Sequence, residues 1–181
     1  MSTVWGQNDR FRETYFTSFP GRLIYTTFDW GIRDDDGYYF ILGRTDDVIN
    51  VAGHRLGTRE IEEAICSHAA VAEVAVVGVA HEVKGQIPLA FAVVKDPATI
   101  ASPELRHQLE KEVMTVVDDL LGPIGRPGAV HFVVQLPKTR SGKVLRRSIK
   151  AIAEGHDPGD LTTLDDPLGM EQIRSVLLAL R

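Results

Sequence analysis

The middle of the chain carries the clearest hydrophobic patterns. Residues 71–80 and 87–95 are nearly continuous in apolar residues, which is typical of strands covered on both faces. A helical repeat of apolar residues begins at Ser102 and Pro103, a favourable cap and first helical position, and it ends at Gly122. These patterns predict two central strands and one long helix.

Weaker patterns add the remaining elements of this part of the chain. Residues 47–57 hold β-branched residues around Gly53 and predict a short hairpin, which Thr58 follows as the cap of a helix. A third strand is predicted at 129–135, and a helical pattern follows Lys143. The order helix, strand, strand, helix, strand, helix predicts an α/β fold of the α+β type. In such a fold helices pack on a short, mostly antiparallel sheet.

The two ends of the chain have a different character. Five aromatic residues crowd the first twenty positions: Trp5, Phe11, Tyr15, Phe16 and Phe19. A strand is predicted at 23–29, and the Asp-Gly pair at 36–37 predicts a hairpin turn into a strand at 38–42. So many aromatic residues in so short a segment indicate packing against another surface. At the other end, residues 155–168 are expected to form a linker and residues 170–180 a short helix.

Composition is that of a globular protein and limits its partners. Of the 181 residues, 44% are hydrophobic and 25% are charged. The net charge of −5 argues against nucleic-acid and membrane-surface partners. No apolar run reaches the length of a membrane span, and the first residues lack the pattern of a signal peptide. A single cysteine fits a reducing compartment, so we expect a cytoplasmic protein.

Metal and thiol chemistry are not indicated. The six histidines show no zinc-type spacing and have no partner cysteines, so no metal site is expected. Cys66 lies beside Ile65 in a helical pattern, which favours a packed thiol over a nucleophile.

Basic residues form a local cluster although the net charge of the chain is negative. Its six members lie within thirteen positions: Lys138, Arg140, Lys143, Arg146, Arg147 and Lys150. Gly142 gives the backbone freedom just before Lys143, and an ammonium group before a helix could bind a phosphate. The Walker pattern is absent, because Pro137 and Val144 stand where it needs glycine and a hydroxyl residue. From the residues alone, a solvated basic patch and an anion site both remain open.

A second polar group surrounds the predicted hairpin. Arg44 and Arg55 flank the turn at Gly53, and Asp46 and Asp47 precede it. Surface ion pairs around a solvated turn would explain this pattern. A backbone surface that approaches a ligand at Gly53, with guanidinium groups placed for phosphate or ribose, would explain it as well. Both interpretations stay open.

Four stretches together resemble the adenylate-forming acyl-CoA synthetases, most of all the short-chain propionate branch and next the acetate branch. These stretches are residues 25–33, 43–63, 136–147 and 159–167. The resemblance implies that residues 1–43 end a large N-terminal adenylation domain, which would be a partner of this chain. Residues 44–154 would form the small, mobile C-terminal domain, and residues 155–181 a tail with a short helix.

The resemblance also implies a reaction in two halves. A carboxylate and ATP, accompanied by Mg²⁺, give an acyl-adenylate and pyrophosphate, and CoA then displaces AMP to form the thioester. The chain would be the C-terminal fragment of a propionate–CoA ligase, inactive by itself. An acetate-preferring fragment and a free-standing module that binds a partner without catalysis are the alternatives.

Seven residues match functional positions of the family. Lys143 matches the lysine that offsets negative charge at the α-phosphate. Three residues match ATP- and AMP-binding groups: Asp29, Arg44 and Arg55. Asp46 matches the hinge of the mobile domain, and Gly53 matches the tunnel for CoA. Ala52 also falls at this tunnel, but it stands where related acetate enzymes have a serine that contacts CoA, so that hydroxyl contact is lost.

The resemblance carries two further expectations. Lysines of this motif are targets of reversible acylation, so a lysine acyltransferase and a deacylase are expected partners for Lys143. Asp118 and Asp119 stand where some relatives have a basic residue for the CoA 3′-phosphate, so recognition of that phosphate by this domain stays open.

Overall fold

A computed structural model describes residues 3–179 of the chain. The chain divides into two compact units, which meet at the bond between Asp46 and Asp47. None of the described helices is both long and apolar enough to cross a bilayer.

In its described residues, the first unit holds one helix and one antiparallel pair of strands. Its elements are α1 (Asn8–Phe16), β1 (Asp29–Arg33) and β2 (Tyr39–Arg44). The predicted turn at 36–37 is confirmed, with Gly37 at a φ of 92°. Helix α1 was not predicted. The strand predicted at 23–29 is wrong except at Asp29, because Phe28 has a φ of 63°, which an extended strand does not allow.

No described residue of the first unit is buried. Its aromatic rings pack on one another instead, as where Tyr15 and Tyr25 stack with centroids 4.9 Å apart. Other large apolar side chains stay exposed, including Leu23 at 91% and Tyr39 at 75%. The unit therefore has rings in mutual contact but no core.

The second unit is built on a five-stranded sheet. Its strands are β3 (Val48–Val51), β4 (His54–Gly57), β5 (Val71–His81), β6 (Gly85–Val94) and β7 (Val130–Phe132). The order is β4–β3–β6–β5, with β7 paired to β6. Only the β6–β7 pair is parallel, so the prediction of a mostly antiparallel sheet is confirmed.

Among the described residues, four α-helices accompany this sheet: α2 (Thr58–Cys66), α3 (Pro103–Leu121), α4 (Arg146–Ala153) and α5 (Pro167–Leu178). The long helix α3 begins as predicted, because the Ser102 hydroxyl accepts a hydrogen bond from the Leu105 amide at 3.3 Å. Gly122, at a φ of 74°, ends it. The helix predicted after Lys143 is confirmed as α4, which starts at Arg146.

Helices cover both faces of β5 and β6. Successive residues of a strand point to opposite faces, and here they belong to two separate buried clusters. One cluster includes Ile61 of α2 and Val113 of α3, and the other includes Ile149 of α4 and Ile173 of α5. This two-sided burial explains the nearly continuous apolar runs of both strands.

Cys66 differs from its prediction. It is exposed rather than packed, because it is the last residue of α2 and the buried face is formed by its neighbours Ala64 and Ile65. Partial burial raises the pKa of the Cys66 thiol, and the charges of Glu62 and Glu73 raise it further against the opposing effect of Lys95. The thiol therefore stays protonated and weakly nucleophilic.

Candidate functional site

The loop at residues 136–145, called here the Lys143 loop, is a tight turn closed by hydrogen bonds. The Thr139 carbonyl accepts from the Gly142 amide at 2.8 Å, and the Thr139 amide donates to the Lys143 carbonyl at 2.8 Å. The Lys143 amide donates to the Thr139 hydroxyl oxygen at 3.1 Å. Gly142 has a φ of 83°, which glycine adopts without strain. These bonds fix the backbone of Lys143 and leave its side chain exposed.

The chain segment before α5 packs along this loop. Thr139 forms a β-bridge with Leu164, and the Asp165 amide donates to the Lys138 carbonyl at 2.9 Å. Within α5, a Cβ on Gly169 would lie 2.8 Å from the Pro137 nitrogen, so only glycine permits this close approach. The segment expected to be a linker therefore supports the base of the Lys143 loop.

An ion pair anchors the other end of the loop. Arg146 donates to both carboxylate oxygens of Glu62, from Nε at 3.0 Å and from Nη2 at 2.7 Å. The Glu62 carboxylate also accepts from the Val76 amide of β5 at 2.9 Å. Burial by itself would lower the pKa of Arg146, but hydrogen bonds and charge from Glu62, with the charge of Asp47, raise it. Arg146 is therefore firmly held as a cation.

The hairpin β3–β4 turns through two residues in the left-handed region. Ala52 has a φ of 49° and Gly53 a φ of 89°, as in the type I′ turns that suit two-residue hairpins. The predicted hairpin with its turn at Gly53 is confirmed. A Cβ on Gly53 would meet nothing within 4 Å, and Arg55 is exposed on β4. The tip of the hairpin is therefore small and open.

The remaining predicted site residues lie together in the first unit. Arg44 pairs with both oxygens of Asp46, at 2.8 Å from Nε and 3.2 Å from Nη2. Its Nη1 is 3.8 Å from Asp29, its partner across the β1–β2 pair. The guanidinium also lies 5.9 Å from the centre of the Phe28 ring. Arg44 thus joins the two aspartates, all three at partly exposed positions.

Phe28 is a strained residue beside this cluster. Its φ of 63° is unusual for a bulky side chain, and its carbonyl accepts from the Thr45 amide at 2.7 Å and hydroxyl at 3.1 Å. These two bonds hold the backbone immediately before Asp29. The sequence gives no signal of this strain, because no glycine or asparagine marks the position.

The predicted site residues therefore form three groups. Asp29, Arg44 and Asp46 share the first unit, the hairpin of the second unit carries Ala52, Gly53 and Arg55, and Lys143 lies on its own loop. Sequence reasoning missed Glu62 as a partner of Arg146. Its position 84 residues earlier in the chain gives no local signal.

Comparisons with known proteins agree with this architecture. Residues 60–143 match the family described as the AMP-binding enzyme C-terminal domain. The propionate–CoA ligase of Escherichia coli (strain K12) is 60% identical over 98% of this chain and 28% of that protein. The acetyl-coenzyme A synthetase of Pyrobaculum aerophilum is 48% identical over 94% of this chain and 24% of that protein.

Solved structures of ligases share the fold. The anthranilate CoA ligase AuaEII in complex with anthranoyl-AMP has a TM-score of 0.66 at 31% identity, over 83% of this chain and 27% of that one. ATP-bound MatB from Rhodopseudomonas palustris has a TM-score of 0.63 at 29% identity, over 82% and 28% of the two chains. This chain thus spans between 24% and 28% of the length of these relatives. Residues 60–143 therefore belong to the AMP-binding enzyme C-terminal domain family, and the chain corresponds to the C-terminal part of acyl-CoA ligases.

Proposed function

We propose that this chain is the C-terminal part of an ATP-dependent propionate–CoA ligase, which forms propionyl-CoA through a propionyl-adenylate. One observation carries the choice of acid. Two propionate–CoA ligases are 60% and 59% identical to this chain, whereas six acetyl-coenzyme A synthetases are between 45% and 50% identical. A ligase that prefers acetate is the nearest alternative.

The proposed domain limits follow from the same relationship. Residues 1–43 would complete a large N-terminal adenylation domain, residues 44–154 would form the mobile C-terminal domain, and residues 155–181 would form its tail. Two observations support this division: the first compact unit ends at Asp46, and none of its described residues is buried. The fragment alone would be inactive, because most of the ligase would be absent.

Lys143 would act in the first half-reaction. A carboxylate oxygen of propionate bonds to the α-phosphorus of ATP, and the bond from that phosphorus to the pyrophosphate oxygen breaks. Both reactants are anions, so a cation near the α-phosphate offsets their repulsion and stabilises the charge of the transition state. An exposed ammonium on a loop with a fixed backbone supports this role.

Three residues would bind the nucleotide. Asp29 would accept hydrogen bonds from the ribose hydroxyls, Arg44 would lie near the ribose, and Arg55 would approach the phosphates. The partly exposed carboxylate of Asp29 and the exposed guanidinium of Arg55 suit these contacts. Asp46 would be the hinge, which its place at the end of the first unit supports.

CoA would enter past the β3–β4 hairpin. With a methyl group at Ala52 and no side chain at Gly53, the turn presents little bulk to a pantetheine arm. Asp118, in the region where some relatives have a basic residue, lies 3.2 Å from Arg126.

Mg²⁺ would accompany ATP rather than bind to this chain. Among residues 3–179, no group of three histidine, cysteine, aspartate or glutamate side chains could hold a metal ion. The ATP phosphates and residues outside this chain would hold it. A lysine acyltransferase and a deacylase would act on Lys143, whose exposure supports access and whose acylation would remove the charge.

The proposal is tested in a full-length ligase that contains this chain. Lys143→Ala should lower ATP–pyrophosphate exchange with propionate by at least about 100-fold, since one group that stabilises transition-state charge is lost. Thioester formation from supplied propionyl-adenylate should change by less than about twofold, because that step does not need the lysine. Lys150→Ala, which removes a cation from α4, is the matched control and should leave both rates close to those of the parent.

Three results would contradict the proposal. Equal slowing of both half-reactions by Lys143→Ala would show that the lysine does not act in the first half-reaction alone. Acetate activation as efficient as propionate activation would contradict the choice of propionate as the substrate. Adenylate formation by the isolated chain would contradict the domain limits.

A further inference from the structure

The Lys143 loop is attached to the rest of the second unit through ion pairs at both ends. Lys138 precedes the turn, and its Nζ lies 2.6 Å from Glu73 of β5. Arg146 follows the turn and forms the bidentate pair with Glu62 of α2. The two pairs differ in burial: the side chains of Arg146 and Glu62 are 29% and 13% exposed, those of Lys138 and Glu73 35% and 47%. The more buried pair is the stronger constraint, because water competes with it less.

The position of Arg146 is unfavourable for the helix itself. It is the first residue of α4, where the partial positive charge of the helix N-terminus repels a cation. The N-cap residue, Leu145, provides no side-chain hydrogen bond to the first turn. Helix formation therefore does not explain Arg146, whereas its two hydrogen bonds to Glu62 do.

Glu62 connects the loop to the sheet as well as to α2. One of its oxygens accepts from both Arg146 and the Val76 amide, so a single carboxylate joins α2, β5 and the start of α4. Lys143 lies only three residues before Arg146. Loss of this junction would free the C-terminal end of the loop, and the internal hydrogen bonds from the Lys143 and Leu145 amides would open more often.

We propose that Glu62 and Arg146 are positioning residues, which place the Lys143 loop on the domain so that its lysine reaches the reacting phosphate. This inference rests on the proposed function of Lys143. In this role neither residue would touch the substrate. Displacement of a reacting group by about 1 Å can cost about 100-fold in rate, so the adenylation step should be sensitive to the pair.

The test uses Glu62→Gln in the full-length ligase. Glutamine has the same shape and still accepts from the Val76 amide, but it loses the charge that holds the guanidinium. Adenylate formation should fall by about 10- to 100-fold, with thioester formation from supplied propionyl-adenylate changed by less than about twofold. Arg146→Lys should act in the same direction, because lysine cannot form the bidentate contact.

Matched controls lie next to both residues. Glu63→Gln removes a carboxylate from the exposed Arg59–Glu63 pair on the same helix, and Arg147→Lys alters the exposed neighbour of Arg146. Both should leave the two rates unchanged. The double variant Glu62→Gln/Arg146→Lys should be no slower than the slower single variant, because both changes break one contact.

A second measurement does not depend on catalysis. In the chain described here, amide hydrogen exchange at Lys143 and Leu145 should become at least about tenfold faster in Glu62→Gln and stay the same in Glu63→Gln. A change in loop exchange with an unchanged melting temperature separates positioning from a general loss of stability. If Glu62→Gln does not fold, the half-reaction rates and the amide hydrogen exchange are measured in Arg146→Lys instead.

The outcomes distinguish this inference from the proposed function. Unchanged adenylation in both Glu62→Gln and Arg146→Lys, in an enzyme that Lys143→Ala inactivates, overturns the positioning role alone. Equal slowing of both half-reactions overturns it as well. Unchanged adenylation in Lys143→Ala overturns the proposed role of the lysine, and the positioning role falls with it.

Discussion

Apolar side chains before and after the Asp46–Asp47 bond differ in burial. Before it, none of the described residues is buried, and Trp5 is 99% exposed. After it, two clusters of buried residues hold helices on both faces of a sheet, with Phe91 and Ile61 fully buried. The second unit therefore has what an independent domain needs, whereas the first is an apolar surface without a core.

The largest expected effect comes from separating the units. Residues 47–181 alone should unfold cooperatively, because both of their buried clusters are internal. Residues 1–46 alone should show no cooperative transition, because none of their described residues is buried and nothing there offsets the entropy of ordering the chain. Circular dichroism during heating, with amide dispersion in NMR spectra, measures both. A folded peptide of residues 1–46 would contradict the inference that the first unit cannot fold by itself.

Substitution of one phenylalanine in each unit compares how much the two units contribute to stability. Phe91→Ala in β6 should lower the free energy of unfolding of the second unit by about 3–5 kcal/mol, because it empties a fully buried site. Phe40→Ala in β2 removes a side chain that is 51% exposed and should change that free energy by less than about 0.5 kcal/mol. Urea unfolding monitored by far-UV circular dichroism measures both. Similar losses would mean that the first unit contributes to the stability of the second.

The smallest expected effect is a pH dependence that belongs to the second unit, which holds all six histidines. Burial lowers the pKa of His131, against a smaller opposing effect of the Glu110 charge. The unfolded chain, with an ordinary histidine pKa of about 6.5, therefore binds more protons than the folded state below that pH. The contribution of neutral His131 to stability is complete above about pH 6.5 and is lost as the pH falls through its lowered pKa.

His131→Phe tests this contribution. Phenylalanine keeps a ring against Phe91, whose centroid lies 5.4 Å from that of the imidazole, and it cannot be protonated. The decrease in the free energy of unfolding between pH 7.5 and pH 5 should become smaller. Exposed His54→Gln is the control and should leave the decrease as it is. An unchanged pH dependence in His131→Phe would assign the effect to other groups.

Local signals in the sequence predicted the parts of the fold that local physics determines. The apolar runs gave β5 and β6, and Ser102, Pro103 and Gly122 gave the limits of α3. The first unit was predicted less well, since its residues lack a core that would make periodicity informative. Helix α1 was missed for this reason.

The candidate site was less predictable from the sequence than the fold of the second unit. Spacing alone left the basic cluster and the hairpin open between a solvated surface and a ligand site, and the roles of Lys143 and Asp29 came from the resemblance. The Glu62–Arg146 pair joins residues 84 positions apart, and the strain at Phe28 depends on bonds from Thr45. Neither leaves a periodic or compositional trace, so only the structure reveals them.

The short connection between β5 and β6 also bears on the order of folding. Only residues 82–84 separate these strands, so their pairing needs little loop closure and can begin within about 1–10 μs. Gly169 must instead meet Pro137 across more than thirty residues, with α4 between them in the chain. Contacts distant in sequence form more slowly. We therefore expect the central hairpin to form early and the Lys143 loop to be among the last parts of the domain to reach its native position.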